Sequence, residues 1–203
     1  MLETKLRPYY QSLLVDNMAA FISHKISPKA ITYLAGLFGL LMIPAVLFGY
    51  VGLAIIFLII SGYCDTLDGT MARISATTSD TGTVLDILMD RVVEACAIFS
   101  LWLISPSTRS LYCILILISF FICITSFLSV AIFTKNESEK GFHYSPGLIE
   151  RTETFIFFIA MFLLPGLFSY ISVLFTTLVI LTAFIRVYQF FLNKKPKTKV
   201  RNV

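Results

Sequence analysis

Long apolar runs separated by short polar breaks set the layout of the chain. The runs cover residues 31–48, 53–73, 83–104, 111–133, 148–164 and 167–191. Each is near the roughly 20 residues that a helix needs to cross hydrocarbon. Gly49-Tyr50-Val51-Gly52, Ser105-Pro106-Ser107 and Pro165-Gly166 read as tight turns, so the runs they join are antiparallel neighbours. Two longer polar stretches, residues 74–82 and 135–147, supply the remaining connections. Ahead of the first run, Tyr9, Leu13, Leu14, Met18, Phe21 and Ile22 recur at helical spacing, and Pro8 suits a first helical turn. That predicts an amphipathic helix on the membrane surface, a placement compatible with packing over the bundle. Ser27-Pro28 breaks it. The pattern as a whole predicts an all-α membrane protein. The expected fold is a six-transmembrane-helix bundle with an N-terminal amphipathic interfacial helix, with residues 1–203 as a single domain.

Composition agrees with the pattern. The chain has 203 residues, 57% of them hydrophobic, and a mean hydropathy of +0.85, values that exclude an ordinary soluble domain. Cysteines 64, 96, 113 and 123 all lie in apolar runs without CxxC spacing, and read as small packing residues instead of disulfides or zinc ligands. His24 and His143 are isolated, without zinc-ligand spacing. The first apolar run comes late and no small-residue cleavage site follows it, so no signal peptide is expected. With six spans both termini share one side. Of 16 Lys and Arg, all but Arg109 lie on that side or near span ends facing it, which makes it the cytoplasm.

Against this background, residues 65–90, DTLDGTMARISATTSDTGTVLDILMD, stand out. They carry Asp65, Asp68, Asp86 and Asp90 inside or beside apolar runs. Intramembrane carboxylates are expensive and mark functional sites. Spacings of three and four place each pair on one face of its helix. Two such faces meeting would gather four anions that repel one another unless cations lie among them. Hard oxygen donors of this kind suit magnesium or manganese.

The same residues fit the pattern D-x2-D-G-x2-A-R-x8-G-x3-D-x3-D, with Asp65, Asp68, Gly69, Ala72, Arg73, Gly82, Asp86 and Asp90 at every fixed position. This resembles the signature of the CDP-alcohol phosphatidyltransferases, membrane enzymes of phospholipid head-group synthesis. The resemblance implies a transferase that uses CDP-diacylglycerol and a small polar alcohol, and releases CMP. It implies that Asp65, Asp68 and Asp86 are metal ligands, and that Asp90, also near the metals, is the general base. It also implies that Thr66 lies near the nucleotide, and that the enzyme is a homodimer in the inner (cytoplasmic) membrane with its site facing the cytoplasm. Two bridging Mg2+ or Mn2+ ions would stabilise charge on the phosphoryl oxygens and on departing CMP. Gly69, Ala72 and Gly82 would let the nucleotide approach two helix backbones, or serve tight helix packing. Arg73 would hold a phosphate of the CDP group as a fork of donors, or snorkel to the interface.

For the acceptor, the cations are Arg151, Arg91 and Lys135, with Lys140 in the same loop and Arg186 near the end of the last run. The stretch G-L-I-E-R-x-E at 147–153 looks like the fifth-span start of members with phosphorylated acceptors. Arg151 is therefore expected to contact an acceptor phosphate, unless Glu150 or Glu153 neutralises it. Glycerol 3-phosphate is the favoured acceptor, with inositol phosphate or inositol second. Lys29 stands where many members carry Asn after the proline. A cation or proton transporter using the aspartates as relays is the alternative of another class. It is disfavoured by the lack of an internal repeat and by acids placed near a membrane face. No nucleic-acid partner is expected.

Overall fold

A computed structural model describes residues 11, 15–134 and 148–193. Its long elements are helices: α1 (Asp16–Ile22), α2 (Pro28–Leu47), α3 (Val51–Ile74), α4 (Asp80–Ile104), α5 (Pro106–Phe133), α6 (Arg151–Leu163) and α7 (Phe168–Asn193), with a 3-10 turn at Pro165–Leu167 before α7. No strand occurs among the described residues.

The helix ends follow from local chemistry. Ser27 caps α2, its hydroxyl accepting from the Ala30 N–H, and Pro28 occupies the first helical position, where its missing N–H costs nothing. The α2–α3 turn closes with the Gly49 N–H on the Val46 carbonyl and the Tyr50 N–H on the Ala45 carbonyl. Gly49 has φ +82° there, a left-handed conformation that favours glycine. The end of α3 makes the same pair of bonds, Ala76 to Arg73 and Thr77 to Ala72. Here an alanine, Ala76 at φ 50°, takes the left-handed position. α4 begins at Asp80, earlier than the apolar pattern implies, because the Ser79 hydroxyl accepts from the Gly82 N–H at 3.2 Å. Gly82 therefore lies in the first turn of a helix and not in the connection before it.

Packing places α2 along both α3 and α4, whereas α3 and α4 touch each other much less. On α2, a Cβ at Gly36 would sit 2.7 Å from Met89 Sδ, and one at Gly39 would sit 2.8 Å from Val93 Cγ2 and 3.2 Å from Val93 Cα. Glycine at these places lets α4 approach the α2 backbone, the usual device where apolar lipid gives helices no hydrophobic reason to associate. α5 pairs with α7. The main core joins Met42, Leu58, Ile98, Leu101, Phe158 and Phe175. A second cluster of Val15, Ala19, Ile31, Leu67 and Met71 seats α1 against α3 beside the start of α2.

Four helical segments are long and apolar enough to cross a membrane: Pro28–Leu47, Val51–Ile74, Pro106–Phe133 and Pro165–Leu192. The chain is a multi-span membrane protein. α4 and α6 differ from these four for separate reasons. α4 is long but carries Asp86, Asp90, Arg91 and Glu94. α6 has 13 residues, about 20 Å at 1.5 Å per residue, against the ~30 Å of a hydrocarbon core. Of the expected N-terminal helix, residues 9, 10 and 12–14 lie outside the described residues. In the part described, Val15 and Ala19 are the buried positions, while Met18 and Phe21 face outward. At the far end of the bundle Arg109 is buried. It donates to the Leu101 carbonyl near the C-terminus of α4 at 3.0 Å and lies 4.2 Å from the Phe168 ring centroid. The helix dipole and the ring face both favour a cation there.

Candidate active site

The acids come from two helices. Asp65 and Asp68 lie three residues apart on α3, and Asp86 and Asp90 four apart on α4. One carboxylate oxygen from each of Asp65, Asp68 and Asp86 falls within 4.8 Å of the others. Octahedral Mg2+ with bonds of about 2.1 Å places opposed oxygens roughly 4.2 Å apart, so a contraction of about half an ångström brings the three oxygens to one ion. Asp86 supports the fit, since its Oδ1 is buried without a hydrogen-bond partner among the described residues. A buried carboxylate oxygen left unpaired is costly, and a hard cation is the partner its chemistry calls for.

Asp90 stands apart from this trio. Its Oδ1 is ion-paired with Nη1 of Arg151, the first residue of α6. The same Nη1 lies 3.1 Å from Asp65 Oδ1. The two glutamates beside Arg151 are engaged otherwise. They form a capping box, in which Glu150 is the N-cap and its N–H donates to Glu153 Oε2 at 3.2 Å. Arg91 pairs with Glu94 at 2.7 Å and lies 4.0 Å from Asp90.

Asp68 is the most deeply placed of the acids, 5% exposed. Its Oδ2 accepts a 2.5 Å hydrogen bond from the Thr32 hydroxyl of α2. Sequence reasoning passed over Thr32. The available signal was a single threonine near the start of the first apolar run, and it has no spacing to betray a partner 36 residues away.

These groups line one cavity of about 1630 Å3. Thr66, Gly69, Ala72, Arg73, Gly82, Arg91 and Arg151 border it together with all four aspartates. Lys135 lies outside the described residues. The Thr66 hydroxyl donates to the Gly62 carbonyl at 3.1 Å, and Arg73 Nη2 donates to the Thr70 hydroxyl at 2.9 Å. A Cβ added at Gly69 would meet Arg73 Nη1 at 3.6 Å and nothing closer. The glycine that packs tightly on α3 is instead Gly62, where a Cβ would come within 2.8 Å of the Phe155 ring. Gly69 thus leaves open backbone beside the acids. Arg186 of α7 also reaches the cavity, donating to the Cys123 carbonyl at 3.2 Å and the Ser126 hydroxyl at 3.3 Å.

Known proteins are similar to this chain in sequence and fold. The inner membrane protein YnjF of Escherichia coli (strain K12) is 30% identical over 202 residues, covering 96% of this chain and 98% of that protein. An uncharacterised protein of Aquifex aeolicus (strain VF5) is 30% identical over 193 residues, 93% of this chain and 94% of its own. In fold, the chain is similar to the crystal structure of Mycobacterium tuberculosis phosphatidylinositol phosphate synthase with CDP-DAG bound. The TM-score is 0.73 and the identity 18%, over 94% of this chain and 98% of that one. The family model for CDP-alcohol phosphatidyltransferase matches residues 25–192, from just before α2 almost to the end of α7. An enzyme family on this scale sets aside the transporter reading, and the chain belongs to the CDP-alcohol phosphatidyltransferases.

Proposed function

We propose that this enzyme transfers a phosphatidyl group from CDP-diacylglycerol to a phosphorylated small polyol, glycerol 3-phosphate first, and releases CMP. The observation that carries the acceptor reading is Arg151. Its guanidinium enters the acidic cavity from a third helix and lies against Asp90, where an attacking hydroxyl must lose its proton. An arginine fork can take a phosphate bidentately. Inositol phosphate fits the same chemistry and is the second reading, supported by the likeness in fold to a phosphatidylinositol phosphate synthase.

Asp65, Asp68 and Asp86 are the residues that would hold Mg2+ or Mn2+, with Asp90 beside them. When bound, a pair of such ions supplies Lewis-acid stabilisation of charge on the phosphoryl oxygens and on departing CMP. The chain's own residues do the rest. Gly69 and Ala72 on α3 and Gly82 on α4 offer close backbone approach to the CDP group, Thr66 flanks it, and Arg73 binds one of its phosphates. Arg151, with Arg91 and Lys135, draws in the acceptor. Asp90 takes the proton from the acceptor hydroxyl as that oxygen bonds to the lipid-side phosphorus. The bond from that phosphorus to the bridging oxygen breaks, and CMP leaves with its electron pair. Holding both substrates in one cavity supplies much of the rate.

The wider setting belongs to the same proposal. The bundle has six spans, with α4 and α6 completing it because their charges and short length are sheltered by the other helices. α1 lies at the interface with Met18 and Phe21 toward lipid. The cavity opens to the cytoplasm, and the enzyme works as a homodimer in phospholipid biosynthesis. The test is a panel of acceptors presented with CDP-diacylglycerol and Mg2+, with the lipid product identified by mass. Product with glycerol 3-phosphate supports the reading. Product only with an unphosphorylated alcohol contradicts it.

A further inference from the structure

α2 carries no acid, yet both acid-bearing helices pack on it and scarcely on each other. α2 therefore helps to set the distance between the α3 and α4 carboxylates, together with Arg151 of α6, which pairs with both Asp65 and Asp90. Toward α4 the contact is close packing at Gly36 and Gly39, with Lys29 Nζ donating to the Thr81 hydroxyl at 2.8 Å. Toward α3, buried apolar packing is joined by two hydroxyl hydrogen bonds. The Ser61 hydroxyl donates to the Ala35 carbonyl at 2.9 Å, and the Thr32 hydroxyl donates to Asp68. Thr32 and Asp68 are buried at 6% and 5% exposure, so water competes little for this bond. The hydroxyl has one proton and two acceptors in range, Asp68 Oδ2 at 2.5 Å and the Pro28 carbonyl at 3.2 Å. The shorter, charge-assisted bond takes it.

We propose that Thr32 is a positioning residue for Asp68. By bonding to Oδ2, its hydroxyl holds the carboxylate in one rotamer toward the centre shared with Asp65 and Asp86, which sets the affinity of that centre for a divalent cation. The inference rests on the metal reading of the three-carboxylate group. Hydrogen bonds to a ligating carboxylate fix its orientation, and their loss lowers metal affinity while the ligand itself remains.

The test titrates the purified full chain with Mn2+ in the absence of any lipid substrate, following free ion by electron paramagnetic resonance. Thr32→Val keeps the shape and removes the donor, and Thr32→Ser keeps the donor and removes the methyl. Thermal unfolding of the metal-free proteins runs alongside. Thr32→Val should bind Mn2+ about 10- to 100-fold more weakly, and Thr32→Ser should stay within about threefold of the parent, with the folded state intact in each. If Thr32→Val does not fold, Thr32→Ala carries the same expectation. A donor-free variant that binds within about twofold of the parent overturns the proposal, and so does a Thr32→Ser variant that falls as far as Thr32→Val. A parent chain that binds no Mn2+ overturns the metal reading itself.

Discussion

Arg151 at the start of α6 is ion-paired with Asp90 of α4 across the acidic cavity. The neighbouring Glu150 and Glu153 cap the helix that presents it. The capping box fixes the first turn of α6, so the guanidinium is aimed by the backbone of one helix at the acids of two others. A local ion pair with its flanking glutamates, the competing expectation from the sequence, would have left the arginine at the helix end. The observed pairing joins the residue assigned to the acceptor with the residue assigned to the proton.

Asp90→Asn tests the proton. The amide keeps the shape but removes one charge and the base, while Asp65, Asp68 and Asp86 remain grouped. Turnover should fall by about 10²- to 10⁴-fold, the usual contribution of a positioned base. CDP-diacylglycerol binding should stay within roughly tenfold, about 1.4 kcal/mol. Measuring turnover and donor binding on the same preparation checks both statements. Near-normal turnover would remove Asp90 from the base role.

Arg151→Ala tests the acceptor. Loss of a charge-assisted hydrogen bond of about 1.5–3 kcal/mol should lower kcat/KM for the acceptor by roughly 10- to 150-fold. The KM for CDP-diacylglycerol should change little, because the proposed mechanism gives that substrate to Arg73 and the α3 backbone. Arg151→Lys should recover only part, since an ammonium lacks the fork. Equal losses toward both substrates would mean that Arg151 serves only to balance Asp65 and Asp90.

Gly39→Ala tests the packing that sets the α2–α4 distance. The new Cβ would meet Val93 Cα as well as its side chain, so a rotamer change cannot relieve it. A loss of about 1–3 kcal/mol is expected from such overpacking. Gly52, in the first turn of α3 with nothing within 4 Å of a built Cβ, is the control. Gly52→Ala should be neutral or stabilising by up to about 1 kcal/mol. Thermal unfolding in detergent reads both. Equal behaviour of the two variants would contradict the close approach of α2 and α4.

The aspartates were legible because their spacing survives in one dimension. Residues 65–90 hold the acids, the small residues and Arg73 at fixed intervals, and helical periodicity turns intervals into faces. The apolar runs located α2, α3, α5 and α7 for a similar reason. What was hidden depends on contacts between distant segments. Thr32 gains meaning only beside Asp68, and Gly36 and Gly39 only beside Met89 and Val93. The start of α4 was misplaced because the Ser79 cap lies within a polar stretch that reads as a loop. α6 was drawn too long because Leu148 and Ile149 are apolar, yet the capping box starts the helix at Arg151. α4 and α6, which bring Asp86, Asp90 and Arg151 to the cavity, both lie outside the hydropathy pattern of membrane spans, α4 through its charged residues and α6 through its 13-residue length.

If carboxylates from α3 and α4 hold divalent metal for phosphatidyl transfer from CDP-diacylglycerol, CMP release and lipid product must stop together when divalent metal is removed and return together when it is restored. The purified enzyme, given CDP-diacylglycerol and glycerol 3-phosphate, should release one CMP per phosphatidyl product in Mg2+. It should fall silent in excess chelator and recover with Mg2+ or Mn2+. Ca2+, with longer bonds and looser geometry, should support turnover poorly. Full CMP release in excess chelator would show that the carboxylates work without metal.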